Sequence, residues 1–241
     1  MNFKPALLLA AASLLSFGAH AENETEIAPF AQWNFNANTP KASLSNGGAK
    51  LTVLGNLTIT YPGQGGSSDK TSVATGGSFS TAAYNATNCP TSLSCGVQFA
   101  VDTTGYENLV FTFDQKNSST GSGYTSLLYT LDGSSWLQAT TFQTATVNWV
   151  LGRSFDFSTI AGANNNESFA LRLVAAYGPT GTYVGTTGNF GSGGTIRYDM
   201  VTLSGSMIPD VTTPVPEAST TAMLLAGLGI VGLVARRRRA D

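Results

Sequence analysis

The hydrophobic residues in the middle of this 241-residue chain recur at every second position, with polar residues between them. This alternation predicts β-strands that turn one face to a core and the other to water. The most regular stripes predict strands at residues 97–102, 109–114, 127–131, 169–175 and 195–204. In the last of these, Ile196, Tyr198 and Met200 are predicted to share the apolar face. Weaker alternation predicts strands at residues 31–36, 51–61, 78–84, 136–142 and 153–157.

Turn-forming residues separate the stripes. Asp132 and Gly133 predict a hairpin, and an Asn-Gly-Gly sequence at residues 46–48 predicts another turn. Residues 158–162 predict a short helical turn, and no window between the two ends of the chain has a sustained helical period. Many short strands joined by glycine-rich turns predict an all-β domain over residues 22–207, an antiparallel β-sandwich or jelly roll.

The amino-terminal end is hydrophobic without alternation. Lys4 precedes an apolar stretch at residues 6–15, and Ala19 and Ala21 form an A-x-A cleavage site. Residues 1–21 are therefore predicted to be a signal peptide that signal peptidase removes.

The carboxyl-terminal end carries a second apolar run. Residues 208–217 form a linker rich in proline and threonine, and residues 218–235 are apolar. Eighteen residues in a helix span about 27 Å, close to the bilayer's hydrocarbon core of about 30 Å. The run therefore predicts one transmembrane helix, with residues 236–241 as a basic tail in the cytoplasm. The basic residues that anchor this topology are Arg236, Arg237, Arg238 and Arg239.

A short motif lies where the linker meets the apolar run, formed by Pro216, Glu217, Ala218 and Ser219. The motif, the helix and the arginine cluster together resemble the PEP-CTERM sorting signal of Gram-negative bacteria. Ala218 stands where the second proline of that signal usually lies. The resemblance implies an exported protein, anchored in the inner membrane as a precursor and then processed by exosortase toward the cell surface or extracellular matrix. A membrane anchor that is never cut is the alternative.

A second resemblance concerns the exported domain. The segments at residues 102–114, 129–136 and 197–201 are similar to a jelly-roll module of many bacterial surface proteins. Such modules resemble carbohydrate-binding domains in fold, so the resemblance supports the predicted architecture and implies no particular ligand.

Composition excludes several classes of function. Residues 22–210 hold twelve acidic and seven basic side chains, a net charge of about −5. This argues against a nucleic-acid partner, which requires a basic surface. The single histidine, His20, belongs to the predicted signal peptide, so the exported domain lacks Ser-His-Asp and Cys-His catalysis and histidine zinc sites.

The two cysteines, Cys89 and Cys95, lie close together in one predicted loop. In an oxidising compartment they predict a local disulfide. A reactive thiol or a two-cysteine metal site is the alternative.

Four charged residues are predicted to lie on strand faces opposite the apolar stripes: Asp114, Arg172, Arg197 and Asp199. If their strands adjoin, they form a charged strip across one sheet that can hydrogen-bond a sugar or hold a structural calcium ion. The alternative is that Arg and Asp pair on a solvated face. No other cofactor or metal is predicted.

Aromatic residues supply a second set of candidates. Three tryptophans can form a sugar-stacking platform or belong to the core. The glycine-rich loop at residues 177–194, with Tyr183 and Phe190, can form a binding lip or a mobile edge. The platform candidates are Trp33, Trp136 and Trp149, with Tyr106, Tyr124, Tyr177 and Tyr183.

These observations favour a non-catalytic exported surface or matrix protein associated with extracellular polysaccharide or biofilm. The first alternative is a carbohydrate-binding module with a defined glycan. The second is a glycosidase that uses two carboxylates, because that chemistry needs no histidine. Its candidate residues are Asp102, Glu107, Asp114 and Asp199.

Overall fold

The computed structural model of the chain describes residues 26–46, 48–70, 76–209, 227–228 and 236–237. The predicted signal peptide, and most of the linker, of the apolar run and of the basic tail, lie outside the described residues. Among the described residues, no helix has the length and the hydropathy that a membrane span requires.

The described part of residues 22–207 is an all-β sandwich of two antiparallel sheets, as the alternation predicts. Each predicted strand except the one at residues 51–61 corresponds to an observed strand within a few residues. The strands are β1 (Ala28–Trp33), β2 (Leu44–Ser45), β3 (Lys50–Leu54), β4 (Thr58–Thr60), β5 (Phe79–Ala82), β6 (Gly96–Ala100), β7 (Tyr106–Asn117), β8 (Tyr124–Thr130), β9 (Leu137–Gln143), β10 (Val150–Asp156), β11 (Ala170–Ala175) and β12 (Ile196–Met207).

The first sheet, sheet A, has the order β10-β7-β12-β1-β2, and β12 also pairs with β5, which pairs with β4. The second sheet, sheet B, has the order β3-β6-β11-β8-β9. The long strand β12 is therefore central in sheet A. It pairs with β7 along one edge and with both β1 and β5 along the other.

The core lies between the two sheets and is rich in aromatic side chains. Phe99 of sheet B contacts both Trp33 and Phe111 of sheet A, with ring centroids 4.9 and 6.4 Å apart. The predicted apolar stripes occupy this core because successive strand residues point to opposite faces. Buried residues of the stripes include Val97, Leu109, Phe113, Leu127, Leu171 and Leu173.

The prediction of one strand over residues 51–61 is wrong. Residues 50–54 belong to sheet B, whereas residues 58–60 belong to sheet A. The chain turns at Gly55, which has a φ of +77° and contacts the disulfide sulfur of Cys95. A side chain there would collide with that sulfur, so glycine allows the crossing between the sheets.

The prediction that Met200 shares the apolar face of Ile196 and Tyr198 is also wrong. Met200 has a φ of +46°, and the pairing of β12 with β7 shifts register between Asp199 and Thr202. This β-bulge moves the core face from even to odd residues, so Val201 and Leu203 are buried instead.

Two local predictions are confirmed. The Asp132 carboxylate accepts hydrogen bonds from the backbone N–H groups of Ser134 and Ser135 at 2.8 and 2.7 Å, in the turn that joins β8 to β9. These bonds lower the pKa of Asp132. The predicted helical turn is a short 3-10 helix, Ala161–Ala163.

Candidate functional site

The structure separates the four residues of the predicted charged strip. Asp114 and Asp199 are direct partners on β7 and β12, and Arg197 lies two residues from Asp199 on the same face of sheet A. Arg172 lies on β11 of sheet B, between β6 and β8. The prediction of one strip across one sheet is therefore wrong for Arg172, because alternation along a strand carries no information about which strands pair.

The two aspartates of sheet A are covered by the segment at residues 63–70. Their side chains are 1% and 0% exposed, so the alternative of a solvated face does not describe them. Gly66 N–H donates to Asp199 Oδ2 at 2.7 Å, and Ser68 Oγ donates to Asp114 Oδ1 at 2.9 Å. Gly152 N–H also donates to Asp114 Oδ1, at 2.8 Å.

Burial leaves this carboxylate pair incompletely satisfied. Asp114 Oδ2 is buried and has no hydrogen-bond partner. The pKa of Asp199 is raised to about 7, mainly by burial. The nearby charges of Asp69 and Asp114 act in the same direction, and the hydrogen bonds from Met200 and Gly66 act against it. The described part of the chain contains no group of three or more Asp, Glu, His or Cys side chains that could hold a metal ion.

The four carboxylates proposed for glycosidase chemistry do not face one cleft. Asp114 and Asp199 are sealed from solvent, and Glu107 lies seven residues from Asp114 along β7, about 24 Å at strand spacing. Asp102 accepts a hydrogen bond from the backbone N–H of Thr104 at 2.8 Å, in the turn before β7. The burial of Asp114 and Asp199 and their distance from Glu107 do not fit a pair of carboxylates that flank a substrate.

Arg172 is part of a different arrangement, on the outward face of sheet B. Its guanidinium carbon lies 3.6 Å from the ring centroid of Trp136, and its Nε donates to Gln98 Oε1 at 2.9 Å. Burial lowers the pKa of Arg172, but the group stays a cation. Two residues predicted for different sites, Arg172 and Trp136, are thus in direct contact.

The three tryptophans do not form one platform. Trp33 is 1% exposed and belongs to the core, where its Nε1–H donates to the Pro40 carbonyl at 3.2 Å. Trp136 precedes β9 of sheet B, and Trp149 precedes β10 of sheet A. Of the two interpretations of the tryptophans, the core position is correct for Trp33, and the shared platform is wrong because the three residues are distributed between the core and two separate sheets.

Three aromatic residues of the loop at residues 177–194 do come together. The rings of Tyr177 and Tyr183 meet edge to face with centroids 4.7 Å apart. Tyr183 and Phe190 are stacked, with centroids 4.9 Å apart and an interplanar angle of 25°. Burial, with a smaller effect of Tyr177, raises the pKa of Tyr183 to about 12, so its hydroxyl is protonated at physiological pH.

These rings line a pocket of about 270 Å³, which we call the aromatic pocket. Its opposite wall comes from the segment that contains the Cys89–Cys95 disulfide. The Tyr183 hydroxyl donates to the Thr91 carbonyl at 3.1 Å and joins the two walls. The lining residues are Tyr84, Asn85, Ala86, Cys89, Pro90, Tyr177, Tyr183, Phe190 and Ser192.

The predicted disulfide is present and shapes this wall. It closes a short loop whose Leu93 N–H donates to the Ala175 carbonyl at 3.0 Å. Ser92 Oγ accepts a hydrogen bond from Tyr177 N–H at 3.0 Å. The sequence identified the loop aromatics and the disulfide separately, but it had no signal that places Tyr84, Asn85 and Pro90 opposite them.

Solved structures with similar folds have low sequence identity to this chain. A Clostridium thermocellum endo-1,4-β-D-xylanase 10B fragment with CBM22-1 and GH10 modules, complexed with xylohexaose, has a TM-score of 0.43 and 12% identity. The match covers 79% of this chain but 30% of that one.

Two further structures match most of their own length. The K2 cleaved adhesin domain of Lys-gingipain has a TM-score of 0.40 and 12% identity, over 75% of this chain and 99% of that domain. Domain 4 of AbnA, a GH43 extracellular arabinanase of Geobacillus stearothermophilus in complex with arabinotriose, has a TM-score of 0.35 and 11% identity, over 76% and 95%.

The comparison of sequences adds a family match at the carboxyl end. No curated protein matches the chain. Residues 214–239 match the model of the PEP-CTERM protein-sorting motif, and they include Pro216, Glu217 and the four arginines. This motif implies processing by exosortase. The chain thus carries a PEP-CTERM protein-sorting motif, which indicates an exported protein.

Proposed function

We propose that this protein is a non-catalytic, exported glycan-binding protein that exosortase releases toward the cell surface or matrix. The observation that carries the glycan-binding part is the aromatic pocket, where Tyr177, Tyr183 and Phe190 meet the disulfide-bonded wall. Ligand sites are commonly concave and mostly apolar, with a few polar groups that fix orientation. Sugar rings present apolar C–H faces and polar edges, which fit this combination.

The pocket is held in shape before any ligand arrives. The hydrogen bond from Tyr183 to Thr91 and the bond from Tyr177 to Ser92 fix the aromatic loop on the disulfide wall. A preformed site orders fewer side chains on binding and so loses less entropy. Asn85 and Ser192 provide polar groups at its edge that can bind sugar hydroxyls.

A Tyr183→Ala variant should lose at least about tenfold in affinity for the polysaccharide that the wild type binds, because truncating a central aromatic residue removes the contact surface. The measurement is affinity gel electrophoresis on a panel that includes the host's own exopolysaccharide. Trp149→Ala is the matched control, since this partly exposed aromatic lies outside the pocket. A wild-type protein that no polysaccharide retards would overturn the proposal.

The sorting part of the proposal rests on the motif at residues 214–239. In the native host, a tag placed after Asp241 should be separated from the exported domain, which then leaves the inner membrane. A double substitution, Pro216→Ala with Glu217→Ala, should keep the full-length chain in the membrane fraction. Immunoblots of both ends check this, and Thr212→Ala is the control. Full-length wild-type protein that stays in the inner membrane would contradict processing.

A further inference from the structure

Two cations lie directly opposite each other on the central strands of sheet A. Lys116 of β7 and Arg197 of β12 are register partners, and both are partly exposed. The nearby carboxylates of Asp114 and Asp199 accept their hydrogen bonds from other groups, namely Ser68 Oγ and the backbone N–H groups of Gly66, Gly152 and Met200. Like charges directly opposite on neighbouring strands destabilise a sheet. Folding alone therefore gives no reason for this pair.

The pair lines a surface pocket of about 360 Å³, which we call the basic pocket. Its other lining residues include Ser118, Ser119 and Thr195, which carry hydroxyl groups, and Val147. The Ser118 Oγ accepts a hydrogen bond from the Thr195 backbone N–H at 2.8 Å. Asp114 and Asp199 lie two residues further along the same strands, but the segment at residues 63–70 covers them. The open pocket thus presents two cations and several hydroxyls, a set suited to an oxyanion among sugar hydroxyls.

The basic pocket adjoins the aromatic pocket along the chain. Ser192 lines the aromatic pocket and Thr195 lines the basic pocket, three residues away. Three residues of chain span at most about 11 Å. Gly194 packs against Thr120 and Gly121 and holds this short segment on the fold. One extended ligand can therefore reach both pockets.

We infer that the glycan ligand is an acidic polysaccharide, with a sugar carboxylate bound between Lys116 and Arg197 and a neighbouring ring in the aromatic pocket. This inference rests on the proposed glycan-binding function and adds the chemical class of the ligand. Residues 22–210 carry a net charge of about −5, which repels anionic polymers in general. Two neighbouring cations give such a protein a local site that can still attract a particular anionic polymer.

The test compares polygalacturonate with its methyl ester, which keeps the sugar chain and removes the charge. The mature wild-type protein should bind polygalacturonate at least about tenfold more tightly, with affinity that falls as salt rises. Lys116→Gln and Arg197→Gln should each remove most of that preference. Arg197→Lys should retain more of it than Arg197→Gln, and Lys50→Gln, an exposed lysine on sheet B, is the control.

The outcomes separate this inference from the proposed function. Equal binding of the acid and its ester overturns the inference and leaves glycan binding intact. Preference for dextran sulfate over polygalacturonate also overturns it, because sulfate rather than carboxylate is then the ligand group. If Lys50→Gln also loses the preference for polygalacturonate, the overall charge of the protein explains that preference, and the basic pocket is rejected as the binding site. The midpoint temperature of thermal unfolding should be unchanged or higher in each variant, since removing one cation relieves the repulsion between Lys116 and Arg197.

Discussion

A Trp33→Ala variant should lose about 3–5 kcal/mol in its free energy of unfolding, the largest effect that we expect from a single substitution. Trp33 lies on β1 and is 1% exposed, with its ring edge to face against Phe99 of the opposite sheet at 4.9 Å. Removing the indole leaves a cavity that neither sheet can close and leaves the Pro40 carbonyl without its donor. Such a loss is a large part of the usual stability of about 5–15 kcal/mol.

Urea unfolding followed by circular dichroism measures this loss. Trp149→Ala is the matched control, because Trp149 is partly exposed and lies outside the described core. Its effect should stay below about 1 kcal/mol. Equal losses in both variants would contradict the assignment of Trp33 as the residue that joins the two sheets.

An Asp114→Asn variant should be more stable than the wild type at pH 8, by about 1–2 kcal/mol. The amide side chain of the variant keeps an oxygen for the hydrogen bonds from Ser68 and Gly152. It also removes one of two directly opposed buried charges, which relieves both their repulsion and the cost of burying the charge. A substitution of this kind usually destabilises, so the sign of the effect is the informative quantity.

The same pair gives stability a pH dependence with a defined sign. The pKa of Asp199 is about 7 in the folded chain and 3.8 as a free side chain, so between about pH 4 and pH 7 the folded state holds a proton that the unfolded state has released. Stability must therefore fall as pH rises through this range and level off above it. The charged groups that face Asp199 are Asp114 on β7 and Asp69 on the covering segment.

Asp114→Asn should make this fall shallower, because one repelling charge is gone while burial of Asp199 remains. Denaturant midpoints at pH 5, 6, 7 and 8 check the slope. Asp102→Asn is the control, since Asp102 lies in a turn far from the pair and an amide oxygen can still accept from Thr104. A variant that is destabilised equally at all four pH values would reject the repulsion between Asp114 and Asp199.

The sequence predicted the strands well because alternation is a local property. Each stripe records which side chains enter the core, and Val97, Phe99, Leu171 and Leu173 are buried as their pattern indicates. The pattern failed at Met200, where a left-handed backbone conformation inserts an extra residue into β12. A bulge of this kind depends on pairing with β7 and leaves no clear mark in the sequence.

The sites were harder to predict because they depend on contacts between distant segments. Asp114 and Asp199 fell on the expected faces, but their burial comes from Gly65 and Gly66, whose backbone lies against the two carboxylates. Only residues without a side chain fit there. In the same way, Lys116 became a candidate only once β7 was paired with β12.

The position of β12 has a consequence for secretion. This strand is the last of the domain, yet it is central in sheet A and holds β7 on one edge and β1 and β5 on the other. A chain that crosses the membrane from its amino end cannot complete that sheet until residue 207 has emerged. Sheet A therefore cannot be complete before the chain has been exported up to Met207, shortly before the sorting motif at residues 214–239 begins.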